Sequence, residues 1–413
     1  MEKPLDRRTF LRLSALTGVA AGVPLGAMAD NLAAAPNSAP TNAAGVRKYV
    51  TLGRTGLKIA DISFGSSRLR TGEEHLVHHA LARGINYFDT AESYTGGASE
   101  TVLGNALRGK RDQVIIATKS SAGPSTTASA IMQELEDSLT RLQTDYVDVY
   151  FNHAVNDVDR LKNPAWFEFV ERAKQQGKIR FTGMSGHGGN LVDCVNYAVD
   201  RDMFDVMLLA HNFGQDPAFY ERFTRSFDFV ASQPKLPQAM ARAKAKGVGI
   251  VAMKVLRGAK LNDMRPFEQD GHTYAQAAFK WALGLEFTDA AVISMTSTDL
   301  IDEYLGASGD TQLTEVDYRL LEQYARLTDM TYCRHACNDC EGSCPFNVPI
   351  ADVLRTRMYA VDYGDLEFAR TEYAMLGAAA SPCLSCDGSP CRDACSHGID
   401  IARLCGPTGI MLG

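Results

Sequence analysis

The sequence predicts an α/β protein in two parts, a (β/α)8 TIM barrel over residues 47–325 and a small, mostly helical, cysteine-rich domain over residues 326–413. Three observations predict it. Strand-like and helix-like hydrophobic periods alternate through the middle of the chain, and that alternation builds a parallel sheet covered by helices. Eight such strands emerge in roughly 280 residues, where a barrel of this kind takes about 250. Nine of the ten cysteines follow residue 332, which gives the tail a chemistry of its own.

The first 29 residues carry Arg7, Arg8, Thr9, Phe10, Leu11 and Arg12, an apolar run to Leu25, and then Ala27, Met28 and Ala29. A basic pair, an apolar stretch and a small-x-small site follow the order of a cleavable targeting segment. RRTFLR resembles a twin-arginine export signal. That resemblance implies periplasmic or other export of the folded protein by the twin-arginine machinery, with cleavage after Ala29 and cofactors already inserted. Residues 30–46, mostly Ala, Asn, Pro, Ser and Thr, read as a flexible linker. The apolar run is short and glycine-containing, and no other segment reaches eighteen uninterrupted apolar residues, so no stable membrane span is expected in the mature chain. A net charge of −7 argues against nucleic-acid binding.

Within the barrel segment, a hairpin is expected around Gly53–Gly56. The candidate strands are Ile59–Phe64, Asn86–Asp89, Val114–Thr118, Val147–Asn152, Arg180–Ser185, Phe204–Leu209, Val248–Met253 and Ala290–Ser294. Among the helices between them, Ile131, Leu135, Leu139 and Leu142 fall on one apolar face. An open doubly wound sheet is the alternative, but no G-x-G-x-x-G follows any of these strands. In a barrel, chemistry gathers at the carboxyl ends of the strands.

Those ends carry Asp89, with Tyr94 shortly after it, Lys119 and His153. Taken singly, a strand-ending lysine is usually solvated, and a lone tyrosine or histidine usually structural. Four in register on one rim ask for a common purpose. LGRTGLKIADISFG, FDTAESY, IATKS and DVYFNH, in that order, resemble the aldo/keto reductase family, and the likeness runs from Val46 to about Leu305. The resemblance implies a reductase of carbonyls, or an oxidant of alcohols, with Tyr94 as general acid or base. Lys119 would tune Tyr94, Asp89 would orient Lys119, and His153 would position the substrate oxygen. The chemistry agrees: a phenol of pKa about 10 holds its proton tightly, and a neighbouring ammonium favours the phenolate.

The resemblance also implies NADP(H), or NAD(H), as cofactor, yet the pocket departs from the family pattern. Ser185 is kept at the end of strand five, but the asparagine after it is replaced by Gly186 and His187. On strand six Leu208 stands at the glutamine position and His211 at that of the ring-stacking tyrosine. After strand eight, Thr296, Ser297 and Glu303 remain as candidate cofactor contacts, with Tyr304 where an asparagine is usual. A following helix start could accept phosphate.

The tail holds Cys333, Cys337, Cys340 and Cys344 as C-x3-C-x2-C-x3-C-P, and Cys383, Cys386, Cys391 and Cys395 as C-x2-C-x4-C-x3-C. The first run differs by one residue from the bacterial ferredoxin spacing, in which the fourth cysteine serves the other cluster. One or two [4Fe-4S] clusters are expected; structural zinc and disulfides compete. Cys194 and Cys405 fit neither run. The tail resembles the ferredoxin-like 4Fe-4S extension of one branch of aldo/keto reductases, with Val353, Met358, Val361, Leu366 and Phe368 as apolar positions for docking. Three readings stand: an exported iron-sulfur oxidoreductase on a small carbonyl or alcohol, with a redox partner protein; an electron-transfer or binding protein with weakened nicotinamide binding; and a reductase with a structural zinc tail.

Overall fold

A computed structural model describes residues 45–222, 233–257, 263–328, 333, 337, 339–362, 364–376, 381–387 and 389–413. The residues to 44, where an export signal and a linker are expected, lie outside the described residues, as do 223–232 and 258–262. The chain enters through an antiparallel hairpin, β1 (Tyr49–Thr51) and β2 (Lys58–Ala60). Eight parallel strands then close a barrel: β3 (Ile62–Gly65), β4 (Tyr87–Asp89), β5 (Ile115–Ser120), β6 (Val147–Asn152), β7 (Ile179–Gly186), β8 (Val206–Ala210), β9 (Gly249–Met253) and β10 (Ala290–Ser294), with β10 pairing back onto β3. β6 and β10 have the expected bounds.

The expected strand Ile59–Phe64 is instead two, divided at Asp61. Its buried carboxylate accepts from Ser308 Oγ at 2.6 Å and Gly309 N at 2.7 Å, which turns the chain from the hairpin into the barrel. The hairpin stoppers the amino end of the barrel: Gly53 has φ +48, and a Cβ there would lie 2.2 Å from Gly249 N. Leu52, Leu57 and Ile59 from the hairpin join Tyr87, Phe151 and Val251 in the barrel interior.

Around the barrel run α1 (Glu74–Ala82), α2 (Ala98–Ala106), α3 (Ala128–Leu142), α4 (Val158–Leu161), α5 (Pro164–Gln175), α6 (Leu191–Asp200), α7 (Pro217–Glu221), α8 (Leu236–Ala245), α9 (Tyr274–Leu283), α10 (Thr298–Leu305) and α11 (Glu315–Thr328). Thr127 caps α3 by accepting from Ala130 N, and Ile131, Leu135, Leu139 and Leu142 are all buried, as their spacing requires. The tail adds α12 (Ile350–Val361), α13 (Leu366–Ala374), α14 (Pro390–Ala394) and α15 (Ile401–Leu412) around its own core of Ile350, Val353, Ala369, Tyr373, Ile401 and Cys405. Val353 and Met358 are buried as expected, but Val361 and Leu366 are exposed at the ends of their helices. Among the described residues no helix is long and apolar enough to cross a membrane.

Candidate active site

β4 delivers Asp89 and β5 delivers Lys119 to the same end of the barrel. Lys119 Nζ donates to Asp89 Oδ1 at 2.7 Å, to the Thr90 carbonyl at 2.6 Å and to Tyr94 Oη at 3.3 Å. An ammonium has three donors, and these use them all. Tyr94 opens a short 3-10 turn, Tyr94–Gly97, in which Thr95 takes φ 50. Its ring meets His153 edge-on at 5.6 Å between centroids. Beneath this group, fully buried Glu100 accepts from Thr118 Oγ1 at 2.5 Å and from Arg141 Nε at 2.7 Å, which ties α2 and α3 to the strand carrying Lys119.

Burial works against the Lys119 charge, but Asp89 and Tyr94 outweigh it, and its pKa stands above the ordinary lysine value. Burial pushes Tyr94 above the ordinary tyrosine value, and the Lys119 ammonium opposes that shift without reversing it. The expected downward tuning is therefore present but outweighed by desolvation, so Tyr94 keeps its proton at neutral pH. Burial first, then the charges of Lys119, Arg160 and Lys254, push His153 well below the ordinary histidine value, leaving it neutral. The arrangement is a proton donor held beside a fixed cation and a neutral imidazole.

These groups open into a cavity of ≈ 910 Å³. Asp89, Tyr94, Lys119 and His153 all line it, together with Ser185, His187, Leu208, Met253, Lys254 and Thr296. Ser185 Oγ accepts from Ala154 N at 2.9 Å. Ser297 and Glu303 are not brought to this wall. Ser297 caps α10, accepting from Leu300 N at 3.2 Å. Glu303 turns to Thr273 at the start of α9, its carboxyl raised chiefly by burial. His211 is a clear correction: it is fully buried, with its ring against Trp281 at 5.2 Å and Phe287 at 5.7 Å, so it offers no platform to a ligand. Met253, ending β9, occupies the wall instead.

A model described as the aldo/keto reductase family matches residues 62–270. The chain belongs to the aldo/keto reductase family. This aldo/keto reductase is 25% identical over 311 residues to the L-galactose dehydrogenase of Arabidopsis thaliana, covering 66% of this chain and 91% of the relative. It is 33% identical over 156 residues to the aldo-keto reductase YhdN of Bacillus subtilis, covering 33% of this chain and 46% of the relative. The solved holo form of an aldo-keto reductase from Bacillus halodurans shares the fold, with a TM-score of 0.53 at 22% identity over 67% of this chain and 95% of that one.

In this aldo/keto reductase the mouth is also walled by the tail. Asp352, Arg355, Met358 and Tyr359 of α12 and Phe368 and Glu372 of α13 line the cavity. Asp365 fastens them: it caps α13 through Phe368 N at 3.2 Å, accepts from Arg70 Nη2 at 2.6 Å and also pairs with Arg68. Arg68 lies over the Phe368 ring at 5.6 Å. The spacing of the tail residues held no sign of this role. Lys254 was also missed, although it directly follows its strand.

The cysteines of the tail sort across the two runs. Cys333, Cys337, Cys340 and Cys395 line one small chamber with Leu354, His397 and Ile399. Cys383 and Cys391 have thiols raised by burial and then by their neighbours Cys344 and Cys386. Buried Cys405 shares the tail core with cysteines of both sets and forms a hydrogen bond with Cys383. No cysteine is in a disulfide. Among the described residues, no three His, Cys, Asp or Glu side chains converge on a point where one metal ion could sit.

Proposed function

We propose that this oxidoreductase reduces a small carbonyl compound, or oxidises the matching alcohol, at the Asp89, Tyr94, Lys119 and His153 rim. The observation that carries the reading is the three-way hold of Lys119 Nζ on Asp89, Thr90 and Tyr94 within the cavity wall. Bound NADP(H), the cofactor general in the family, or NAD(H), would supply or accept hydride. Ser185, Leu208, Met253 and Thr296 line the space where its nicotinamide end would lie. Tyr94 Oη then gives its proton to the carbonyl oxygen as that oxygen becomes alkoxide, and takes it back in the reverse direction. Neutral His153 donates a hydrogen bond to the same oxygen, and Lys119 stays charged throughout.

The tail is proposed to hold two [4Fe-4S] clusters, one on Cys333, Cys337, Cys340 and Cys395 and one on Cys344, Cys383, Cys386 and Cys391. The exchange of each fourth cysteine supports this, because it is the pattern of two-cluster ferredoxins. Structural zinc is the competing occupant of the same cysteines, since C-x2-C spacing also suits tetrahedral thiolate sites. Export of the folded protein through the twin-arginine machinery, and a redox partner protein, belong to the same proposal and rest on RRTFLR and the cysteine runs.

Leu208 at the position of a polar carboxamide contact favours a second reading, a barrel that binds nicotinamide weakly and serves electron transfer. Fluorescence quenching by NADPH and NADH separates the two. Anaerobic purification with iron analysis tests the tail: a colourless protein loaded with zinc removes the clusters. Tyr94→Phe should lower turnover by about 10²- to 10⁴-fold with nucleotide binding retained; turnover at the wild-type rate would sink the assignment of Tyr94.

A further inference from the structure

Lys254 is the first residue after β9, in the place on its strand where a barrel keeps its reactive groups. Its backbone takes φ +59, a left-handed conformation that a residue with a Cβ adopts at a cost. Asn212 Nδ2 at 3.4 Å and Arg257 N at 3.1 Å both donate to its carbonyl and hold that conformation. The side chain is partly buried and lines the cavity.

The neighbouring cations are answered. Lys119 holds Asp89 at 2.7 Å and Arg355 holds Asp352 at 2.6 Å. Lys254 has no such bond to any described residue: Asp352 and Glu372 act on it only through space, and Arg355 opposes them. A partly buried cation with no bonded counter-charge is costly, and burial followed by Arg355 pushes its pKa well below the ordinary lysine value. An entering anion removes that cost and gains a charge-assisted hydrogen bond. Backbone strain of this sort gathers where a protein clamps ligands.

We propose that Lys254 anchors a carboxylate of the substrate inside the cavity. The identity of the guest rests on the reductase reading; its negative charge rests on Lys254 alone. Lys254 shares the cavity wall with Tyr94, Lys119 and His153 on the barrel side and with Asp352, Arg355 and Glu372 on the tail side, so the anion lies in the same cavity as the reacting groups.

The test is isothermal titration of the full chain, wild type, Lys254→Met and Lys254→Arg, with NADPH, inorganic pyrophosphate, phenylglyoxylate and uncharged benzaldehyde. Lys254→Met removes the charge at similar length and Lys254→Arg keeps it, so a general folding defect would strike the two alike. Loss of a charge-assisted hydrogen bond should weaken the anchored probe by about 10- to 100-fold in Lys254→Met, with recovery in Lys254→Arg. A loss confined to NADPH and pyrophosphate places only the cofactor's phosphates at Lys254 and overturns the proposal. A loss for phenylglyoxylate with benzaldehyde unchanged assigns the anion to the substrate. If Lys254→Met binds every probe within twofold of wild type, or wild type binds no anion, the proposal is overturned. Should carbonyl turnover be absent while anion binding still depends on Lys254, the reductase reading fails and the anchor stands.

Discussion

Lys119 spends all three of its N–H bonds before any substrate arrives. That fixes the ammonium beside Tyr94, and the direction of reaction it helps can be told from the sign of its effect. Burial, and after it the Asp89 charge, raise the phenol; the ammonium lowers it. Lys119→Met should therefore hurt alcohol oxidation, which needs phenolate, by more than 10²-fold, and move the limb of its pH profile upward. Equal losses in both directions, with no shift of the limb, would rule the tuning role out. His211 gives a different residue-scale test. Both ring nitrogens are buried without partners, and burial pushes its pKa down to about 3. An unfolded histidine takes up its proton near 6.5, so stability present above that pH is lost as pH falls toward the folded value. His211→Phe should remove this loss, on the order of 2 kcal/mol between pH 7 and pH 5, when urea unfolding is measured at both; identical losses would exclude it.

At the scale of elements, two contacts position the site from a distance. Glu100 links Thr118 and Arg141 with its carboxylate fully buried, and Glu100→Ala leaves Arg141 without its acid. A cost of about 3–5 kcal/mol is expected in chemical denaturation. Asp365 joins the start of α13 to Arg68 and Arg70 on the barrel. Its carboxyl is held below the ordinary value by those arginines against the opposing effect of burial. Asp365→Asn should raise KM several-fold and speed hydrogen exchange in α12; unchanged exchange there would show that the pair fastens nothing. The elements most legible in the sequence were those whose hydrophobic pattern alone decides them, such as β6, β10 and the buried face of α3. Ile59–Phe64 misled because Asp61 looks like a polar interruption within a strand, while its real task is to receive Ser308 and Gly309 from 247 and 248 residues away. His211 misled for the opposite reason: a polar residue after a strand suggests the rim, and only the packing of Trp281 and Phe287 withdraws it.

Across the whole molecule, the two ends of the barrel are closed by different elements, an amino-terminal hairpin that plugs one end and a tail that walls the mouth of the other. The tail core includes Cys340, Cys391 and Cys405 among its buried residues. A core that leans on thiols depends on what the thiols hold. Chelation under anaerobic conditions should make residues after 328 sensitive to protease while the barrel resists; equal resistance before and after chelation would argue for a tail that folds without clusters. The tetrad was readable because each member ends or follows a strand. The closing of the mouth by Tyr359, Met358 and Arg355 was not, since nothing in the periodicity of a helix names the surface it will meet.

Cys333 and Leu354 face two chambers at once, the cavity on one side and the cysteine chamber on the other. An occupant that settles against Cys333 from the cavity is expected to alter the surroundings of a thiol that also faces the cysteine chamber, and by thermodynamic reciprocity the state of that thiol then acts on the occupant's affinity.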